Sequence, residues 1–234
     1  MTENCISQIK LGEKLTEDGF YKEGIINNRR FCIAASTLMC TNHQIEKKLG
    51  IGFLAKYIEE IFKIHGQYNF VYGEEKCPMN VYSEKFEMFR HTLLPIPRSQ
   101  NLEAEIIRRV KVEDIKRLVQ DGCSVALSVK NSFIQEVSGT EVELVPGGHV
   151  VAILGTNEEE KFVIVDPYYA GNNEPKIVLV SPDKLGEYSR GEGIVVSKKK
   201  IDITEDKILN IKYSPELQKK IDQIIVDCSR QQDE

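Results

Sequence analysis

The sequence predicts an α+β domain in which N-terminal helices pack on a C-terminal antiparallel sheet. Three observations predict it. Apolar residues recur at helical spacing between Cys32 and Phe62. From Ser124 onward the period changes, and apolar runs of strand length follow one another as far as Val196. The linkers between those runs are polar, Glu158–Lys161 and Ala170–Pro175, and the second carries good turn chemistry.

Taken in order, residues 1–29 form a polar lead-in punctuated by Gly12, Gly19 and Gly24, irregular apart from room for a short strand. From about Arg30 the residues Cys32, Ala35, Ser36, Met39 and Cys40 fall at helical spacing, with Asn27 or Asn28 as the candidate cap. A second helix carries Leu54, Ile58, Ile61 and Phe62 on one face, with Lys56, Glu59, Glu60 and Lys63 elsewhere. The stretch 66–103 is broken by Gly66, Gly73, Pro78, Pro95 and Pro97; it offers a strand at Tyr68–Tyr72 and a helix within Val81–Leu94. A helix is predicted over Val110–Val119, stopped by Gly122, with Val112, Ile115 and Leu118 on its apolar face.

Strands are then predicted at Ser124–Lys130, Val150–Leu154, Phe162–Val165, Ile177–Val180 and Ile194–Val196, with a short helix at Pro182–Tyr188. The domain thus expected runs over residues 30–199. Residues 200–234 make a charged tail whose Leu217, Ile221, Ile224 and Ile225 give a helical stripe, fit to pack on the body, on a protein partner or on a second copy.

The bulk numbers fit this plan. The chain has 234 residues, 41% hydrophobic and 29% charged, with a net charge of −5. That balance argues against a nucleic-acid partner. No apolar run approaches the ~18 residues that cross a bilayer, so no membrane partner is expected. The first ten residues lack a basic start followed by an apolar stretch, which makes a cytoplasmic setting the expectation. Six cysteines at irregular spacing read as thiols. Cys32, Cys40 and His43 are close in sequence but lack the paired close ligands of a structural zinc site, so no metal or cofactor is expected.

One constellation carries chemistry. His149 opens an apolar strand after Gly147-Gly148, and Asp166 ends the next one. Antiparallel neighbours joined by a turn bring an imidazole and a carboxylate to the same end of a sheet, which is the arrangement of an oriented general base. The candidate nucleophile is Cys32, at a helix start, where the dipole and an imidazolium both favour a thiolate.

The segments Gly148-His149-Val150-Val151-Ala152-Ile153-Leu154-Gly155 and Val163-Ile164-Val165-Asp166-Pro167-Tyr168 resemble the histidine and aspartate motifs of the bacteriocin-processing (double-glycine leader) peptidase-like branch of the papain-like cysteine peptidases. Val112–Leu127 and Val180–Val196 are similar to flanking elements of the same family, in the same order. The resemblance implies a papain-like fold with Cys32 as nucleophile, His149 as general base and Asp166 as the acid that orients it. It also implies an amide side chain beside the backbone N–H of Cys32 as oxyanion donor, a role open to Asn27 or Asn28. Ile33 stands where the family usually has glycine, and Ile26 where it usually has glutamine.

The expected reaction is hydrolysis of a peptide or isopeptide bond through a thioester, with a peptide or a small amide or thioester as substrate. An acyl or aminoacyl transferase using the same site is one alternative, and an inactive binding or regulatory protein on the same fold is another.

Overall fold

The computed structural model describes residues 6, 10, 11, 14, 31–64, 92–139, 148–168, 176–209 and 215–230. Its elements run α1 (Cys32–Gln44), α2 (Ile51–Ile64), α3 (Pro95–Ser99), β1 (Glu103–Ile107), α4 (Val112–Gln120), β2 (Ser124–Lys130) and α5 (Ser132–Glu136). They continue with β3 (Gly148–Thr156), β4 (Phe162–Asp166), β5 (Lys176–Val180), α6 (Pro182–Tyr188), β6 (Ser189–Ser197), a 3-10 turn (Glu205–Lys207) and α7 (Pro215–Arg230). The six strands form one antiparallel sheet in the order β1-β6-β2-β3-β4-β5. The fold is α+β, as the sequence predicts.

Both faces of the central strands are covered, which is why they read as unbroken apolar runs instead of alternating. In β3, Val150, Ala152 and Leu154 join one core with α1, α2, α3 and α7, while Val151 and Ile153 join a second core with α4, α5 and α6. Helix α1 lies against β2, β3 and β6 and buries every side chain but His43. A helix enclosed on all sides has no polar face, so its sequence shows little amphipathic contrast. Helix α4 is amphipathic and ends as expected: Gly122 at φ 89° lets Cys123 N–H donate to Leu118 O at 3.0 Å and Gly122 N–H to Val119 O at 3.1 Å.

Several details differ from the expectations. Phe31 precedes α1 with no side-chain cap, so neither Asn27 nor Asn28 holds the N-cap position of that helix. Lys10, Leu11 and Lys14 are helical and Leu11 is fully buried, where an irregular lead-in was expected. Pro95 and Pro97 do not break the chain but start α3, because the first helical turn needs no proline N–H. Strand β1 was not anticipated. The linker Glu158–Lys161 is more than polar: Asn157 Oδ1 accepts from the N–H groups of Glu159 at 3.1 Å and Lys161 at 2.9 Å and so builds the β3–β4 turn. The strand at Tyr68–Tyr72, most of the helix within Val81–Leu94, the linker Ala170–Pro175, and Asn27 and Asn28 themselves lie outside the described residues.

The tail stripe is buried on the body. Ile221, Ile224, Ile225 and Cys228 of α7 belong to the same core as α2 and α3. Before it, Arg108 N–H donates to Lys207 O at 2.8 Å and Leu209 N–H to Ile106 O at 2.9 Å, which covers the outer edge of β1.

Candidate active site

Three elements meet where β3 begins. Helix α1 starts at Cys32, and its first closed bond runs from Ala35 N–H to Phe31 O at 2.9 Å. The N–H groups before Ala35 therefore have no intrahelical acceptor and mark the positive end of the helix dipole. His149 is the second residue of β3, opposite Val129 on β2. Asp166 ends β4. The pairing of Ala152 with Val165 sets Asp166 across from Val151, so His149 is its diagonal neighbour on the same face.

That register closes a hydrogen bond of 2.7 Å between His149 Nε2 and Asp166 Oδ1. Cys32 lies close enough to the ring to raise its proton affinity as well. The described structure thus brings together all three residues of the candidate triad. The Asp166 carboxylate has further donors at both oxygens. Tyr168 N–H donates to Oδ1 at 2.8 Å, an Asx turn in which Pro167 supplies the fixed φ, and Ser138 Oγ donates to Oδ2. Cys32, His149 and Asp166 are all buried, at 4%, 2% and 0% exposure.

The charges support one another. Burial by itself would lower the affinity of the His149 imidazole for its proton. The charge and hydrogen bond of Asp166, followed by those of Cys32, outweigh it and push the value up to about 10. Burial likewise works to raise Asp166, but the charge and hydrogen bond of His149, then the donors from Ser138 and Tyr168, hold it below the usual carboxylate range. Both shifts run in the direction that favours an imidazolium–carboxylate pair.

Three further thiols are buried among the described residues. Burial pushes the Cys40 thiol far up on the enclosed helix α1, and burial likewise raises Cys123 and Cys228. His43 is at the far end of α1, its proton affinity lowered by burial and by Lys48 and Lys198. Among the described residues no group of three His, Cys, Asp or Glu side chains could hold a metal ion, and no helix is long and apolar enough to cross a membrane.

Sequence reading did not single out Ser138. It is a serine after a short helix, and nothing local distinguishes it from a surface residue. Ser36, whose spacing marks it only as a helix residue, donates from Oγ to Val150 O at 3.0 Å, one turn after Cys32 and one residue after His149. Ile33, the departure beside Cys32, is fully buried in the core shared by α1 and α2.

No curated protein matches the chain. The model of the Peptidase_C39 like family matches residues 6–179, a span that contains Cys32, Ser138, His149 and Asp166. The chain belongs to the Peptidase_C39 like family of papain-like cysteine peptidases.

Proposed function

We propose that this chain cleaves peptide or isopeptide bonds with Cys32 as nucleophile, His149 as acid–base and Asp166 as the group that orients and charges the imidazole. The observation that carries the reading is the buried His149–Asp166 pair at 2.7 Å, with the buried Cys32 thiol close enough to act on the ring. In the reaction His149 holds the proton of Cys32, and the thiolate attacks the carbonyl carbon. The C–N bond breaks, the amine leaves with the proton from His149, and a thioester remains on Cys32. Water, deprotonated by His149, then attacks the thioester and releases the acid and the thiol. The backbone N–H of Cys32 is one donor to the oxyanion, and an amide of Asn27 or Asn28 is the proposed second.

The near-complete burial of Cys32 and His149 keeps a second reading in play, in which an amine replaces water as acyl acceptor. The substrate in either case is a peptide, or a small amide or thioester, and free thiols at Cys32, Cys40, Cys123 and Cys228 fit a reducing, cytoplasmic setting. On this proposal residues 30–199 are the catalytic unit.

Iodoacetamide labelling at near-neutral pH, read peptide by peptide by mass spectrometry, tests the nucleophile. Cys32 is expected to react well ahead of Cys123 and Cys228, and His149→Ala to remove that lead. A Cys32 no faster than the other two would end the enzyme reading. Incubation with an amine then separates hydrolysis from transfer by the mass of the product.

A further inference from the structure

We propose that Ser138 is a positioning residue of this site: its hydroxyl fixes the Asp166 carboxylate in the orientation that serves His149. The inference rests on the proposed role of Cys32, His149 and Asp166 and extends it to a fourth side chain.

The geometry has three parts. Ser138 is 1% exposed and Asp166 0%, so their hydrogen bond is formed away from solvent. Asp166 needs Oδ1 for His149 Nε2 and for Tyr168 N–H, and Ser138 takes the other oxygen, Oδ2. A carboxylate held at Oδ1 alone could turn about its Cβ–Cγ bond; donors at both oxygens prevent that rotation. A buried carboxylate also gains from each donor, because burial keeps it from exchanging that donor for solvent. The titratable groups acting on Asp166 are His149 directly and Cys32 through the ring.

Ser138 is itself built into place. Its backbone N–H donates to Phe133 O at 3.0 Å, closing the end of α5. Phe133 is fully buried and meets the Tyr188 ring edge to face, with centroids 5.6 Å apart. Tyr188 O–H in turn donates to Glu136 Oε2 of the same short helix. Helix α6 therefore braces α5, and α5 presents Ser138 to Asp166. Tyr188 lies beyond the residues that match the family, so part of this brace is supplied from outside the matched span.

The test follows the alkylation rate of Cys32 against pH in the full chain, for wild type, Ser138→Ala, and the matched pair Ser138→Thr and Ser138→Val. Thr keeps the hydroxyl; Val has nearly the same shape without it. The expected result is that Ala and Val slow Cys32 alkylation about tenfold at neutral pH. They should also move the acid limb of the profile upward by about one pH unit, while Thr stays near wild type. A role confined to stability would lower the melting temperature and leave the acid limb where it is, and that result overturns the proposal. So does a Val variant that matches Thr, a comparison that stands even where Ser138→Ala fails to fold. The two readings fail separately. If wild-type Cys32 shows no lead over Cys123 and Cys228, the peptidase reading falls; if the lead is present and indifferent to residue 138, only the role of Ser138 falls.

Discussion

Ser36 Oγ donates to the carbonyl oxygen of Val150 at 3.0 Å, and this one bond ties the helix that carries Cys32 to the strand that carries His149. Ser36 is one turn beyond Cys32, and Val150 follows His149 directly. Both are buried, so the bond fixes the depth at which α1 meets β3 with no water to take its place.

Ser36→Ala should therefore cost about 1 kcal/mol of folding stability, the ordinary worth of a buried hydrogen bond, and also reduce the reactivity of Cys32. Urea unfolding and iodoacetamide labelling of the same samples check it. Lost stability with an unchanged labelling rate would show that the bond supports the core alone and does not set the Cys32–His149 approach.

The His149–Asp166 pair predicts a pH profile of stability. His149 is raised from 6.5 to about 10, so its contribution is complete below about pH 6.5 and fades as the pH climbs through about 10. Asp166 is lowered, so its contribution is complete above about pH 4 and is lost as the pH falls through its depressed value. The stability gap between wild type and Asp166→Asn should be widest between about pH 4 and pH 6.5 and narrow on either side. Urea midpoints for both proteins from about pH 3 to about pH 10 measure it, and a gap that does not change with pH would contradict the ion pair.

Much of the site could be read in the chain, for a physical reason. An apolar strand with a polar residue at its mouth is an anomaly against its surroundings, and His149 and Asp166 are both of that kind. Their register follows from the two strands that hold them. Ser138 and Ser36 were invisible because a serine carries no pattern, and its partner is set by tertiary contacts between residues far apart in sequence. Strand β1 escaped for a related reason. Glu103 and Glu105 alternate with Ala104 and Ile106 over five residues only, and among the described residues its strand partner is β6, far along the sequence. In α1 the reading found the helix but not its cap, because Phe31 supplies no capping side chain.

Close approach of β6 to β2 makes Gly193 irreplaceable. A Cβ there would stand 2.3 Å from Ala126 O, against backbone that cannot yield without displacing the centre of the sheet. Gly193→Ala should cost about 2–4 kcal/mol. Gly52 in α2 has nothing within 4 Å of the same position, so Gly52→Ala should gain about 0.5–1 kcal/mol from helix propensity. Thermal denaturation of the two variants should show shifts of opposite sign.

The stripe on α7 gives the last prediction, because its two possible uses differ in what a single truncation does. Ile221 is fully buried in the core that contains α2, whereas Val226 on the same helix is 43% exposed. Removing a methylene-rich side chain from a filled core leaves a cavity, and Ile221→Ala should cost about 2–5 kcal/mol. Val226→Ala removes little buried surface and should stay within about 0.5 kcal/mol. Cys228, one turn below Ile224, should become more reactive to iodoacetamide in the Ile221 variant as the helix loosens. A stripe held by a partner or a second copy would give another result: Ile221→Ala would leave the unfolding of the isolated chain unchanged and act only on association, which dilution series of both variants would reveal.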